Sequence, residues 1–450
     1  MSEYDPSSQA PPSSSDPFQA FWSYLKPRLL SFNIGHLMLI LFGLHLFAMS
    51  FPNGNTCSTP NNACVFDESY YVPAANDLLN GVASNLEHPF FGKVPGALGI
   101  ALFGNNFFGW RIFYVVIGVL TVWVFYELAL MFFSKEKALI AASFLGFETL
   151  FFIHTSLLLL EGPPIFFGLL GFLLYFKRQY YLSALSLGLS ILSKEWGLYF
   201  VIALVLYHSY YLVSQHKVRE IFEPYSLKKL SLFAVILLLV VALPLWWYDL
   251  AYHASVNGAA WNGPWDNFAY YYSYHTSLTI SASDAQNTWD HYAWGWILPI
   301  NVNPSGYFVT TVLHYNVSNG TKTLAYTTHP IDWLGIGNLV VWYSIWAIVP
   351  FLILKPLLTR KLSELEAFVG IWIFATYAPS LYLSAIVHRV VYSFYFINVD
   401  PALALGIPML VTFIAPEDLR MQRILLAVWL AAAIIFFILF FPIHPGPDLT

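Results

Sequence analysis

Apolar runs close to the length needed to cross a bilayer recur along this chain, and no other feature limits its fold so tightly. A hydrocarbon core about 30 Å thick is spanned by roughly 20 helical residues, and the backbone groups inside it must be paired within the segment itself. Eleven such runs can be placed, at 34–51, 107–133, 138–156, 163–176, 181–193, 197–213, 230–248, 333–354, 365–386, 391–414 and 424–442. The runs ending at Phe176 and Ser193 are short and interrupted by polar residues, so eleven is an approximate count. Only 10% of the residues are charged, against about 25% in a soluble domain. The expected fold class is an all-α polytopic membrane protein.

Charge then orients the spans. Lys26 and Arg28, Lys135 and Lys137, Lys177 and Arg178, the cations of 217–229, those of 355–361, and Arg420 with Arg423 fall in alternate loops. The positive-inside rule makes those loops cytoplasmic. The N-terminus is then cytoplasmic and the C-terminal tail external. Residues 1–16, rich in Ser and Pro, have no basic region running into a short apolar core, so they are expected to be a disordered tail and not a signal peptide. The stretch 18–30, with aromatics beside Lys26 and Arg28, suits the membrane surface. This divides the chain into a tail and interfacial segment, 1–30, and a transmembrane domain, 31–450. A formal net charge of −5 with few, scattered basic residues argues against a nucleic-acid partner.

Few cations remain outside: Lys93, Arg111, Lys194, Lys322 and Arg389. Three of them, Arg111, Lys194 and Arg389, sit beside acidic or aromatic residues at predicted membrane boundaries. A lipid phosphate is a natural partner for such a cation where water is scarce. Snorkelling to headgroups, or pairing of Lys194 with Glu195, is the plainer alternative. The first external loop, 52–106, holds the chain's two cysteines, Cys57 and Cys64, at a spacing a disulfide can close outside the cytoplasm, although two free thiols fit the sequence too. Within it, 71–79 and 94–103 suit helices lying along the interface. The second, 249–330, is crowded with Trp, Tyr, His and Asn, as suits either a sugar or peptide acceptor or an aromatic belt. It carries the sequons starting at Asn316 and Asn319.

The candidate chemistry lies in 66–111. Asp67 and Glu68 are adjacent, so on a helix their side chains diverge by about 100° and cannot address one atom. One carboxylate is suited to act as general base on an acceptor hydroxyl while its neighbour supports the acceptor side or a cation. A phosphate leaving group needs no proton but does need positive charge, which Lys93, Arg111, Lys194 or Arg389 can supply. Glu127, Glu148, His154 and Glu161 are further polar residues within apolar runs, and Glu161, nearest the external face, is a candidate cavity carboxylate. No paired Cys-x-x-Cys, zinc-protease helix motif or Gly-rich phosphate loop is present, so no metal site is expected.

These residues carry a family resemblance. The order Phe66-Asp67-Glu68-Ser69-Tyr70-Tyr71, His88-Pro89-Phe90-Phe91-Gly92-Lys93, Ala97-Leu98-Gly99-Ile100, Phe103-Gly104-Asn105-Asn106 and Gly109-Trp110-Arg111-Ile112 resembles the N-terminal half of the protein O-mannosyltransferases, of the GT-C superfamily. It continues more weakly through Leu160-Glu161-Gly162-Pro163, 191–198 and 392–401. The resemblance implies a GT-C fold of about eleven spans with an inside N-terminus. It also implies inverting, metal-independent transfer of mannose or another hexose from a polyprenyl (dolichyl) phosphate donor, with no cofactor, to a protein Ser or Thr hydroxyl or a glycan.

By similarity Asp67 is the base, Glu68 supports the acceptor side, and His88, Lys93, Arg111, Lys194 and Arg389 surround the donor phosphate and sugar. Such an enzyme would sit in the cell membrane with its site outside; oligomerisation is left open. Departures are Phe90 where the family has a second proline, Glu161 where it has Asp, and a loop at 249–330 too short for the lumenal sugar-binding domain of eukaryotic members. Prokaryotic or archaeal-type relatives are therefore the nearer comparison. Two alternatives stand beside this reading. One is a lipid- or glycan-modifying transferase of the aminoarabinose-transferase type. The other is a transporter using Glu127, Glu148 and Glu161 as an ion path.

Overall fold

Helix boundaries follow local chemistry in the computed structural model, which describes residues 32–57, 63–216, 223–279, 292–298, 308–309, 312–318, 321–328 and 331–445. Helix α1 (Ile34–Met49) is opened by Asn33, whose side chain accepts from the Gly35 and His36 backbone N–H groups. The disulfide Cys57–Cys64 precedes α2 (Glu68–Leu79), a 3₁₀ turn (Phe90–Lys93), and α3 (Val94–Phe103). Asn106 caps α4 (Phe107–Ala129) through Phe108 and Gly109. Next come α5 (Lys135–Gly146), α6 (Thr149–Ser156), α7 (Gly162–Phe176), α8 (Tyr180–Ser193), α9 (Gly197–Ser214) and α10 (Pro224–Ala251). After α11 (Pro264–Ser277) and the later external strands, the chain closes with α12 (Leu339–Trp342), α13 (Ile345–Thr359), α14 (Glu364–Ala385), α15 (Asp400–Ile414) and α16 (Leu419–Leu439).

The expected spans take three forms. Among the described residues six helices are long and apolar enough to cross a membrane: 107–129, 197–214, 226–251, 339–359, 364–385 and 419–439. The run expected at 138–156 is broken, because α5 and α6 meet at 66° around Glu148, and the pair counts as one bent span. The Glu148 carboxylate accepts from the Phe151 N–H, a first-turn donor that the break sets free, and from the Asn338 N–H of the distant segment before α12. Four expected spans are shorter apolar helices, α1, α7, α8 and α15. The last of these starts only at Asp400, since 393–398 forms a 3₁₀ turn. Length therefore does not establish all eleven, but the protein is a multi-pass helical membrane protein.

Helix α4 lies at the centre, packed against α1, α3, α5, α6 and α7. Close approach of the external helices depends on small residues: a Cβ on Gly99 would sit 1.9 Å from the Gly109 carbonyl oxygen, and one on Gly92 would sit 2.2 Å from that of Ser193. Helix α10 leaves Leu230, Leu238 and Leu243 exposed, as a lipid-facing helix requires. The second external segment is not purely helical. It holds the hairpin β1 (Ser255–Val256) with β2 (Ala259–Ala260) and the hairpin β4 (Val312–Ser318) with β5 (Thr321–Thr328). Strands β3 (Phe308–Val309), β6 (Ile331–Trp333) and β7 (Ile443–Pro445) form a three-stranded sheet. The Thr, Val and Tyr content of β4 and β5 favours strands. The tail and interfacial segment up to Ser31 and the sequon residue Asn319 lie outside the described residues.

Candidate active site

The stretch around Asp67 is held by an ion pair buried beneath it. Phe66 adopts φ of 54°, a conformation disfavoured for a bulky residue, and it turns the chain from the disulfide-bonded loop into α2. Glu68 then points inward and is fully buried. Its carboxylate accepts from Arg111 Nε (2.8 Å) and Nη2 (2.6 Å) and from the backbone N–H groups of Val65 and Leu158, each at 2.9 Å. Arg111 also donates to the carbonyls of Met49 (2.8 Å), Pro52 (3.1 Å) and Ala63 (2.9 Å). A guanidinium has five N–H groups, and these contacts use them all. Arg111, expected at a donor phosphate, therefore ties the backbone of 49–52 to Ala63, and Glu68, expected to support the acceptor side or a cation, is its counter-ion.

Lys93 is corrected in the same way. Its ammonium is buried and donates to the carbonyls of Ser84, Asn85 and His88. Burial pushes it down to about 7. It shapes the loop that carries His88 and has no N–H directed at a substrate.

Asp67, diverging from Glu68 as adjacent helical positions must, remains half-buried. Burial and the nearby Glu161 charge raise its carboxyl to about 7, against the opposing pull of Lys194 and a hydrogen bond with Tyr71. Glu161 accepts from Lys194 Nζ (2.6 Å) and pairs with His154 Nδ1 (2.8 Å), so the candidate cavity carboxylate does sit beside Asp67. Lys194 thus pairs with Glu161 and not with Glu195, and its Nζ lies 4.1 Å from the centre of the Trp196 ring. Glu127 bonds Lys177, and Glu148 bonds backbone groups. The three carboxylates of the transporter reading serve three separate networks.

An aromatic wall runs from Asp67 to the remaining cation. Phe66 meets Phe394 edge-on, Phe394 stacks on Trp196, Trp196 meets Tyr395, and the Arg389 guanidinium lies 5.7 Å over the Tyr395 ring. Beside the wall is a cavity lined by Glu195, Trp196, Tyr199, His275, Ser380, Leu383, Arg389, Tyr395 and Asn398. Arg389 is 4% exposed. Its Nη2 donates to His275 Nδ1 (2.8 Å) and Tyr395 Oη (3.4 Å), while its Nε is buried with no hydrogen-bond partner. No carboxylate forms an ion pair with it among the described residues. The Asn398 Oδ1 on the same cavity is also unpartnered. A buried charged donor left open beside an empty space is suited to an anion from outside the chain.

His88, Glu195 and His275 converge next to this cavity, with one ligand-type atom from each within 4.8 Å of the others. His88 Nδ1 lies 3.0 Å from Glu195 Oε2, and His275 Nε2 lies 3.2 Å from Oε1. Sequence reasoning missed His275, Tyr395, Tyr71 and the hub role of Glu195. His275 lies in the last turn of α11, 80 residues from Glu195 in sequence, and nothing local in the sequence marks it.

Comparison with known proteins agrees with this geometry. Residues 87–248 match the family described as dolichyl-phosphate-mannose-protein mannosyltransferase. A polyprenol-phosphate-mannose–protein mannosyltransferase of Mycobacterium tuberculosis is 43% identical over 65 residues, 13% of this chain and 12% of that protein. The matched segment thus spans about an eighth of that relative's length. In fold, the chain resembles the Saccharomyces cerevisiae protein O-mannosyltransferase Pmt1–Pmt2 complex bound to the sugar donor, with TM-score 0.58 and 13% identity, covering 93% of this chain and 90% of that one. It also resembles ArnT from Cupriavidus metallidurans bound to undecaprenyl phosphate, with TM-score 0.52 and 15% identity, covering 94% of this chain and 71% of that one. By its motifs and the match over residues 87–248 the chain resembles the protein O-mannosyltransferases, and it shares the fold of these two solved structures.

Proposed function

We propose that the protein is a glycosyltransferase that moves a hexose, mannose by analogy with its relatives, from a polyprenyl phosphate donor to a protein Ser or Thr hydroxyl at the external face of the cell membrane. The observation that carries this reading is a half-buried carboxyl, raised to about 7, whose neighbour Phe66 starts an aromatic wall that ends at a buried guanidinium with an unused N–H. Asp67 accepts the proton of the acceptor hydroxyl as that oxygen bonds to the anomeric carbon. The bond from the anomeric carbon to the phosphate oxygen breaks, and its electron pair leaves with the polyprenyl phosphate. Arg389 meets the developing phosphate charge, and Lys194, held by Glu161, adds positive potential. Attack opposite the leaving group inverts the anomeric centre. This scheme uses neither a metal nor a cofactor.

The test is transfer by the purified protein in lipid nanodiscs, supplied with polyprenyl phosphate mannose and a Ser/Thr peptide and followed by mass spectrometry. Mannosylated peptide from the parent and none above background from Asp67→Asn is the expected result. Sugar appearing on a lipid instead would assign the acceptor of the aminoarabinose-type transferases. Full activity in Asp67→Asn would remove Asp67 as the base.

A further inference from the structure

His88, Glu195 and His275 look at first like three ligands for a divalent cation. The hydrogen bond at the far side of His275 argues otherwise. Arg389 donates to His275 Nδ1 at 2.8 Å, and arginine has no acceptor to offer. Nδ1 must therefore hold the lone pair and Nε2 the proton. A metal on Nε2 would reverse this and set two N–H groups against each other, whereas ligating histidines usually donate their other N–H to an oxygen. The protonated Nε2 lies 3.2 Å from Glu195 Oε1, a close electrostatic contact that lacks hydrogen-bond geometry. On the other carboxylate oxygen, His88 Nδ1 lies 3.0 Å away. Burial pushes Glu195 up, but the two imidazoles outweigh it and hold the carboxyl well below its usual range, so it is an acceptor only. His88 Nδ1 must then carry its proton. Burial also lowers His88, which favours the neutral ring. Its Nε2 is left with a lone pair, in a side chain that keeps 11% exposure and meets Tyr71, the residue hydrogen-bonded to Asp67.

We propose that Glu195 is a positioning residue that fixes the tautomer of His88, so that His88 Nε2 accepts a hydrogen bond from a hydroxyl of the transferred sugar, while the chain Glu195–His275–Arg389 aims the guanidinium at the donor phosphate. The assignment of ligands rests on the transferase reading; the tautomers do not. A lone pair cannot hold a phosphate oxygen, so His88 belongs to the sugar end and Arg389 to the phosphate end. Each end of the donor is thereby set by one buried carboxylate between them.

Nitrogen-15 NMR of the histidine-labelled protein, with His88 assigned by loss of its signal in His88→Gln, reads the tautomer without any donor present. A neutral His88 protonated at Nδ1 in the parent, and a mixture of tautomers in Glu195→Gln, is the expected pair of results. A parent His88 protonated at Nε2, or a tautomer unmoved by Glu195→Gln, would overturn the proposal. Donor binding then separates the two ends. His88→Ala should weaken polyprenyl phosphate mannose roughly tenfold, the size of one hydrogen bond, leave bare polyprenyl phosphate unaffected, and be partly restored in His88→Gln, whose amide oxygen accepts. Equal weakening of both lipids would overturn the sugar role. If neither lipid binds the parent, the transferase reading and the sugar assignment fail together while the tautomer result stands. Stoichiometric zinc binding to the parent, lost in Glu195→Gln, would overturn the lock in favour of a metal site.

Discussion

Two buried arginines serve opposite purposes in this protein. Arg111 is fully buried and all five of its N–H groups are taken, by Glu68 and by backbone carbonyls from two stretches of chain. Arg389 is nearly as buried, yet it has no ion-pair carboxylate among the described residues and its Nε has no partner. Burial of a cation alone does not distinguish a structural role from a functional one. The count of satisfied donors does: a filled guanidinium organises the chain around it, and an unfilled one carries a desolvation cost that a bound anion would offset.

Substitutions should separate these roles, and the largest effect falls on the carboxylate that the Arg111 network holds in place. Asp67→Asn should lower kcat by about 10²–10⁴, the range for loss of a general base, with donor affinity nearly unchanged. Next, Arg111→Ala leaves Glu68 as a buried unpaired charge, so it should destabilise the protein by about 3–5 kcal/mol, seen as a lowered thermal midpoint in detergent or as failure to accumulate. A stable Arg111→Ala protein with only weakened donor binding would erase the contrast between the arginines. Arg389→Ala should do the reverse. It should raise the donor KM by about 10–100-fold, as expected for lost charged hydrogen bonds, and lower the thermal midpoint much less than Arg111→Ala does, since it breaks the contacts to His275 and Tyr395 but leaves no carboxylate buried and unpaired.

The smallest effect concerns pH. Asp67 must be ionised to act as base, and its carboxyl is raised to about 7, so kcat/KM should fall about tenfold per unit below pH 7 and level off above it. Glu161 contributes to that raised value, and removing its charge also frees Lys194 to pull the other way. Glu161→Gln should therefore move the acid limb to lower pH, by about one unit or less. A limb that stays in place would detach Glu161 from Asp67.

Much of this architecture is legible in the apolar runs, because the bilayer forces a simple length rule on them. The exceptions are physical. The run at 138–156 is continuous in sequence but breaks at Glu148, whose carboxylate replaces a lost helix hydrogen bond with its own. Helices α7 and α8 are short, and sequence alone cannot say how deeply they lie. At the site, the adjacency of Asp67 and Glu68 announces that the two carboxylates diverge, but not which one faces inward. That depends on Arg111, forty-odd residues away, and on the Leu158 N–H group. Sequence likewise marks Lys93, Arg111, Lys194 and Arg389 as rare external cations without showing their partners. Only the folded contacts show that three of them, Lys93, Arg111 and Lys194, are filled by backbone carbonyls or a counter-ion. His275 is invisible beforehand because its meaning comes wholly from Glu195 and Arg389, which approach it from distant segments.

The central claim is that the open guanidinium of Arg389, and not the filled one of Arg111, receives the phosphate of a polyprenyl donor. The measurement that addresses it most directly is the affinity of bare polyprenyl phosphate for the purified parent and for Arg389→Ala, with thermal midpoints recorded on the same samples. At least a tenfold loss of affinity, with a midpoint lowered far less than in Arg111→Ala, is the predicted result. Equal affinity in the two proteins, or a loss that merely tracks a lowered midpoint, would contradict it.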